Sequence, residues 1–551
     1  MLRAPPTPSP TPERSHTRAL AAVLLVGLLL RMLGIGWGLP SARVPGEPPF
    51  HPDELVPYEE GGSLYTAPDA ITFTWGGAFY FRVAWVVRAL GDGLHPGDSF
   101  AATHATVAGL RLVSALVGVL SALAIHRTAR LLYGRRAGLL AAFLFLAFPA
   151  HVLESHYARP DVIQVGLSCV ALACAATVAT RHSPRVLAWS VAGGLAAGLA
   201  IATMIWGVLA LVPLALAVAI AQWRGSVDRR YLTGVATIGL AIAGATVLGY
   251  LLGSVETFLF WDTFLEGRER AALMHGSTHY HAPTALLGGT ALFAFGTLAT
   301  VSAYGGAVLT VARRTPAARW IVVAALAAGA VLLGMLEGQM LRYVLFLAPE
   351  FAVLAGGALD EAIERASSGL GARRAAAWLR PVAYAAVAAA ALQASLAYVV
   401  EMHFADDARY RTGRWIAQHA PEGARVGITP SFYGDWTYVP RFADSPARGV
   451  LRIEELMLRE NFDASGYLAR GLDFIALSDA TASGVSGPTA TRFVDELVHG
   501  NAYRAVARIG PLWHPLCSGG RAGAPLPGDL LYLRQTFTVY ERADRVARLD
   551  S

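Results

Sequence analysis

The chain has 551 residues, 54% of them hydrophobic and only 15% charged, against about 25% charged in an ordinary soluble domain. With a mean hydropathy of +0.45 and several apolar runs of the roughly 20 residues that cross a bilayer, it is not a soluble globule. The formal net charge of +6 comes from arginine without a single lysine, and those arginines fall in short loops between apolar runs, which argues against nucleic acid as a partner.

In chain order, residues 1–18 are rich in Pro, Ser and Thr and carry Arg3, Arg14 and Arg18. They are expected to form a disordered cytoplasmic tail. The first span is expected at 19–37. Pro40-Ser41-Ala42 permits a cleaved-signal reading, but the apolar run is long for one. A long polar first loop, 41–104, contains Phe50-His51-Pro52-Asp53-Glu54 and then the stretch from Thr74 to Phe81. The latter suits an amphipathic helix lying at the interface. Ten more spans are expected near 105–125, 138–150, 162–180, 186–202, 206–222, 232–253, 285–311, 320–336, 343–359 and 381–399, eleven in all.

The arginines orient these spans. One set of loops holds Arg127, Arg130, Arg135 and Arg136, then Arg181 and Arg185, then Arg224, Arg229 and Arg230. The set continues with Arg313, Arg314 and Arg319, then Arg365, Arg373, Arg374 and Arg380. The positive-inside rule makes these loops cytoplasmic and puts the Asp53 loop and everything after residue 400 outside. Residues 400–551 change character. Strand-like runs at 424–429, 472–477 and 536–540 alternate with helical stretches at 409–419 and 491–499, which predicts a small extracytoplasmic α/β domain. The cysteines, Cys169, Cys174 and Cys517, imply no disulfide framework.

Unusual polar residues collect on the outer side. The first loop has His51, Asp53 and Glu54; the second has Glu154, His156, Tyr157, Arg159 and Asp161. The third, 254–284, has Glu256, Asp262, Arg268, Arg270, His275, His279 and His281, and the fourth has Glu337, Arg342 and Tyr343. Each alone reads as a solvated loop residue, and Asp53 alone reads as a helix cap. Four such loops at one membrane face suggest one pocket. Pro52 biases His51 to an extended conformation, so the Asp53-Glu54 pair belongs on a turn or helix start at the membrane surface. The chemistry that suits such a pocket is glycosyl transfer from a lipid-linked phosphate sugar. An acceptor hydroxyl needs a carboxylate base, for which Asp53 is the candidate. A phosphate leaving group needs a cation, and the arginine fork of Arg159 or Arg342 suits it.

Three motifs carry a family resemblance. They are Gly36-Trp37-Gly38-Leu39-Pro40 followed by Phe50-His51-Pro52-Asp53-Glu54; His156-Tyr157-Ala158-Arg159-Pro160-Asp161; and Leu341-Arg342-Tyr343-Val344-Leu345-Phe346-Leu347-Ala348-Pro349. The ending Phe537-Thr538-Val539-Tyr540-Glu541-Arg542 fits as well. The chain resembles the GT-C superfamily of membrane glycosyltransferases, and within it the protein mannosyltransferase and aminoarabinose transferase-like family of bacterial type. The resemblance covers most of 19–399 and, more loosely, the C-terminal part. It implies a polyprenyl-phosphate sugar donor and inverting hexosyl or pentosyl transfer to a lipid, polysaccharide or protein acceptor. It places the reaction on the extracytoplasmic face of a bacterial inner membrane. It makes Asp53 catalytic with Glu54 beside it, Arg159, Arg342 and Tyr343 the donor-phosphate residues, and His51, His156, Tyr157 and Asp161 substrate-binding. The C-terminal part does not look like the β-trefoil of eukaryotic protein mannosyltransferases, which weakens protein mannosylation as the specific activity.

No cofactor is required by these motifs. Some relatives use a divalent ion, and His275, His279 and His281 with Glu54 or Glu59 are candidate ligands for Mg, Mn or Zn, against a reading as solvated loop histidines. Tyr433, Asp435, Trp436 and Tyr438 form an aromatic and acidic patch that suits sugar stacking or a small core. Two rival functions remain. A transporter or flippase would place its charges near the midplane of a repeated half-structure, and a non-catalytic scaffold would tolerate the loss of the Asp53 carboxylate.

Overall fold

The computed structural model describes residues 11–39, 49–67, 71–73, 75–180, 185–223, 225–275, 284–313, 315–336, 340–368, 373–428, 440–442, 451–456, 471–479, 488–513 and 533–544. The chain is helical throughout its apolar part. Helix α1 (Thr11–Met32) starts inside the segment expected to be a disordered tail, because Thr11 to Arg18 contains no helix breaker beyond Pro12, which is tolerated in a first turn. The first loop carries α2 (Leu55–Ser63) and α3 (Phe79–Leu94); of the amphipathic helix expected at 74–81, the described residues are helical only from Phe79. Helix α4 (Ser99–Tyr133) follows with 35 residues. At 1.5 Å per residue it is about 52 Å long, more than the roughly 30 Å of bilayer hydrocarbon. Helix α3 packs back along its N-terminal half, where Gly91 lies against Ala102 and Thr106, and Gly109 against Val87.

Next come α5 (Arg135–Ala147), α6 (Pro149–Glu154), α7 (Asp161–Thr180), α8 (Val186–Thr203), α9 (Leu211–Gln222) and α10 (Arg229–Ser254). Helices α8 and α10 approach closely at Gly194, Gly198 and Gly249, where an added Cβ would meet opposing backbone. This is the small-residue contact favoured between helices in lipid. Then follow α11 (Glu256–Leu259), α12 (Trp261–His275), α13 (Ala291–Phe295), α14 (Thr297–Ala312), α15 (Trp320–Leu333), α16 (Leu341–Leu345), α17 (Ala348–Ser368) and α18 (Arg373–Val399).

Among the described residues seven helices are long and apolar enough to cross a membrane: Arg14–Met32, Ser99–Tyr133, Asp161–Thr180, Val186–Thr203, Ile205–Gln222, Arg229–Ser254 and Trp378–Phe404. Among the described residues the other four expected spans are shorter or broken. The 138–150 run stops at Phe148 because Pro149 starts a new helix. The 285–311 run breaks at Gly296, whose φ of +80° belongs to the left-handed region. The 343–359 run is divided between α16 and α17, and the 320–336 run ends at Leu333.

After residue 404 a small sheet appears. Helix α19 (Ala408–His419) leads into β1 (Arg425–Ile428), β2 (Arg452–Glu455) and β3 (Phe474–Ser478). Then come α20 (Pro488–His499), β4 (Tyr503–Ile509) and β5 (Phe537–Arg542). The order is β2-β1-β3-β5-β4, with β2, β1 and β3 parallel and β5 and β4 antiparallel. Alternation along β3 sorts two cores. Phe474 and Ala476 join Ile416 of α19, while Ile475 and Leu477 join Phe493 and Leu497 of α20. The strands and helices expected at 409–419, 424–429, 472–477, 491–499 and 536–540 are all present. The patch of Tyr433, Asp435, Trp436 and Tyr438 lies outside the described residues.

The first loop is fastened to the third loop at two places. Arg82 of α3 forms a two-pronged pair with Glu256 of α11, at 2.8 and 2.7 Å. Gly267 of α12 lies so close to the loop that a Cβ would sit 1.7 Å from the Thr72 carbonyl oxygen. Gly267→Ala should therefore displace the loop and cost about 1–3 kcal/mol, read as a lower thermal midpoint in nanodiscs together with faster proteolysis between α2 and α3. An unchanged midpoint and cleavage pattern would mean that the loop is not held there.

Candidate active site

Pro52-Asp53-Glu54 forms a single 3-10 turn that opens α2. Pro52 has no N–H to lose, which suits a helix start. The Glu54 amide donates to the His51 carbonyl at 3.2 Å, and the Asp53 amide to His51 Nδ1 at 3.2 Å. Upstream, the Phe50 amide donates to the Gly38 carbonyl at 2.9 Å. Gly38 has a φ of +61°, and a Cβ there would strike the Phe50 ring. The Gly36-Trp37-Gly38 motif is thus the seat of the turn.

The two adjacent carboxylates have different fates. Glu54 is fully buried against the equally buried Arg111 of α4, through Nε–Oε1 at 2.7 Å and Nη2–Oε2 at 2.6 Å. Arg111 Nη1 also donates to the carbonyls of Ile35 and Trp37 at 2.8 and 2.6 Å. Glu54 Oε1 accepts from the Ala158 amide at 2.8 Å as well. Asp53, in contrast, keeps 34% of its side chain exposed. Its Oδ2 accepts from Arg342 Nη1 at 3.0 Å and lies 3.7 Å from Arg159 Nε.

Arg159 is the hub. It is buried between Glu154 at 3.2 Å, Asp161 at 3.2 Å and Asp53, and its Nη1 lies 3.3 Å from His51 Nε2. The His51 ring meets Tyr157 edge-on, with centroids 4.6 Å apart. Burial drives the pKa of His51 well below its ordinary value, and Arg159, Arg342 and Arg111 add to this against the pull of Asp53. Accepting from the Asp53 amide leaves Nδ1 unprotonated, which together with burial keeps the ring neutral. Burial alone would raise the pKa of Asp53. The neighbouring His51, then the positive charges of Arg159 and Arg342 and the hydrogen bond from Arg342, outweigh it and hold the carboxyl well below the ordinary carboxylate range.

The structure thus brings Asp53, Glu54, His51, Tyr157, Arg159, Asp161 and Arg342 into one cluster. Tyr343, on α16, is buried with its ring 5.7 Å from the Arg342 guanidinium. His156 is placed differently. It is fully buried with Nδ1 2.8 Å from the Val152 carbonyl and Nε2 2.9 Å from that of Leu33, and burial lowers its pKa to about 4. It ties α6 to the end of α1 rather than facing the open carboxylate. The third loop contributes to docking the first loop, not to these ion pairs. His279, His281, Glu337 and Gln339 lie outside the described residues, as does the side chain of His275. Among the described residues no group of three or more His, Cys, Asp or Glu is arranged to hold a metal ion. Glu54, considered above as a ligand, has both oxygens on Arg111.

Sequence reasoning missed Arg111, which stands inside an apolar run. The signal was available, because an ionisable residue in a span requires a partner; the partner is Glu54, which sequence reasoning assigned to the catalytic pair instead.

A family model described as dolichyl-phosphate-mannose-protein mannosyltransferase matches residues 99–248, the stretch from α4 into α10 that supplies Arg111, Glu154, Arg159 and Asp161. The resemblance read from the motifs holds. Over that stretch the chain is similar to mannosyltransferases, and the match supports glycosyltransferase as the enzyme class. Asp53 and Arg342 lie outside the matched stretch. Solved structures similar to the chain include ArnT from Cupriavidus metallidurans bound to undecaprenyl phosphate, 17% identical over 94% of this chain and 97% of the other, TM-score 0.48. The oligosaccharyltransferase AglB from Archaeoglobus fulgidus, in complex with an inhibitory peptide and a dolichol-phosphate, is 14% identical over 96% and 78%, TM-score 0.49. The Archaeoglobus fulgidus oligosaccharyltransferase in complex with Zn and sulfate is 14% identical over 88% and 71%, TM-score 0.46. No curated protein matches the chain.

Removing one partner of the Glu54–Arg111 pair leaves a buried charge. Arg111→Leu should cost about 3–5 kcal/mol, seen as a large fall in thermal midpoint. Asp53→Asn, at a partly exposed pair, should change the midpoint little. Equal midpoints for the two variants would overturn this division of roles.

Proposed function

We propose that the chain is an inverting glycosyltransferase that moves a sugar from a polyprenyl-phosphate donor to an acceptor hydroxyl at the extracytoplasmic face of a bacterial inner membrane. The observation that carries the reading is the inequality among four clustered carboxylates. The side chains of Glu54, Glu154 and Asp161 are 0%, 0% and 6% exposed, and that of Asp53 is 34% exposed. One accessible carboxylate with a guanidinium on each side suits a single displacement. A double displacement needs a second carboxylate as nucleophile, and Glu54 is committed to Arg111.

In this mechanism the acceptor oxygen attacks the anomeric carbon of the donor. Asp53 takes the hydroxyl proton as the new C–O bond forms. The bond from the anomeric carbon to the phosphate oxygen breaks, and its electron pair leaves on polyprenyl phosphate. Arg342, with Arg159 behind it, stabilises that charge. Glu54 acts as a positioning residue, and Tyr343 and His51 shape the pocket around the two arginines. The acceptor, whether lipid, polysaccharide or protein, and a hexose or pentose as the sugar follow from pocket contacts outside this cluster.

The test uses purified protein in nanodiscs with a panel of radiolabelled polyprenyl-phosphate sugars, following release of free polyprenyl phosphate. Release with one donor, reduced about a hundred- to ten-thousand-fold in Asp53→Asn, is the expected result. Release unaffected by the substitution would move the base to Asp161. No donor bound and none turned over would favour the transporter or the scaffold.

The pH profile adds a second check. The wild-type carboxyl is depressed below its ordinary value of about 3.9, so Asp53 stays ionised, and active as a base, down to acidity below that value. Arg342→Ala removes a charge that lowers it, so the acid limb of kcat/KM should move up in pH. A limb that stays in place or moves down would exclude Asp53 as the titrating base.

A further inference from the structure

The mechanism above leaves a second arginine site unexplained, at the other end of the pentapeptide. Phe50, three residues before Asp53, carries the Arg409 guanidinium over its ring at 3.9 Å from the centroid. Arg409 belongs to α19, in the C-terminal part of the chain, and is fully buried. Asp407, the residue that caps α19, fixes it by accepting from Nε at 2.7 Å and Nη2 at 3.0 Å. The stack is therefore set from the C-terminal side. Phe50 in turn meets Trp37 edge-on, with centroids 5.2 Å apart, and Arg409 lies 5.6 Å from the Trp37 ring.

A second segment of the C-terminal part backs this contact. The Arg441 amide donates to the Arg409 carbonyl at 3.0 Å, and the Arg441 guanidinium lies 5.7 Å from the Phe50 ring. Gly413 of α19 is in backbone contact with Arg441, since a Cβ would sit 1.9 Å from its carbonyl oxygen. A planar, hydrogen-bonded cation stacked on an aromatic ring has no proton to exchange and reaches no reacting atom. What it does is immobilise Phe50.

We infer that Arg409 is a positioning residue for Asp53, through which the C-terminal part of the chain holds the catalytic turn in place. The turn is pinned at one end by Arg111 on Glu54 and at the other by Arg409 on Phe50, with Asp53 between the pins. The reading of Asp53 as the base rests on the proposed function; the pin itself does not. A base displaced by about 1 Å loses on the order of a hundredfold in rate.

The test compares wild type, Arg409→Ala, Arg409→Lys and Phe50→Leu in nanodiscs by two measurements. In hydrogen exchange, the amides of Phe50 and Glu54 should exchange at least about tenfold faster in Arg409→Ala and Phe50→Leu, while β1 and β3 keep their protection. In the donor assay, kcat should fall about a hundredfold with donor KM within about twofold, and Arg409→Lys, which keeps charge but not the planar fork, should recover only part. Phe50→Leu leaves the Asp407 contact intact, so it decides the matter if Arg409→Ala unfolds the sheet. Unchanged exchange at residues 50–54 in both variants, or a change in KM with kcat preserved, overturns the inference. If the wild type releases no polyprenyl phosphate from any donor, the transferase reading fails, and the exchange measurement still decides whether the pin exists.

Discussion

Burying two opposite charges is favourable only when every donor and lone pair is used. The Glu54–Arg111 pair meets that condition. Two guanidinium nitrogens go to the carboxylate, and the third goes to two backbone carbonyls at the end of the first helix. The carboxylate takes one further amide from the segment that carries Arg159. Three stretches of chain that are remote in sequence therefore meet at one ion pair. Because the pair is fully desolvated, each partner would be costly without the other, and the register among the three stretches is fixed. Hydrophobic residues of the same volume would fill the space, but they would not select which carbonyls and which amide come together.

Asp53 follows from that constraint. Neighbouring residues on a helical turn point in different directions, so anchoring Glu54 inward turns Asp53 toward the opening, where Arg342 and Arg159 wait. The same logic explains why two adjacent acids cannot share a role here. One has its charge neutralised by burial with a partner; the other keeps access to solvent, as the proposed role of a base requires.

Much of this was legible in the sequence. The arginine asymmetry between loops put the segments bearing Asp53, Arg159 and Arg342 on one face, and they do converge although Asp53 and Arg342 are 289 residues apart. Hydrophobic runs located most of the helices, and short strand-like runs located β1, β3 and β5 but not β2 and β4. What was not legible depends on tertiary partners. Nothing local distinguishes Glu54 from Asp53 until Arg111 is known to face one of them. Helix breaks at Pro149 and Gly296 interrupt runs that hydropathy alone treats as continuous. His156 sits in a motif with Arg159, yet its ring is used up by backbone carbonyls. The docking of α19 on Phe50 joins residues more than 350 positions apart, and neither residue type announces such a contact.

The resting geometry also carries a kinetic implication. In the described cluster each of the three arginines is already in contact with a carboxylate: Arg111 with Glu54, Arg159 with Glu154 and Asp161, Arg342 with Asp53. In the proposed reaction an incoming donor phosphate therefore competes with Asp53 for Arg342. When it does so, it draws positive charge away from the carboxylate whose basicity that charge was suppressing. Donor binding and activation of the base become one event. On the proposed function, Asp53 is a weak base held by an ion pair before the donor arrives, and a stronger base beside a neutralised leaving group afterwards. Pinning the turn at both ends keeps the carboxylate from following Arg342 as the guanidinium turns toward the phosphate, so the exchange of partners leaves Asp53 where the acceptor hydroxyl can use it.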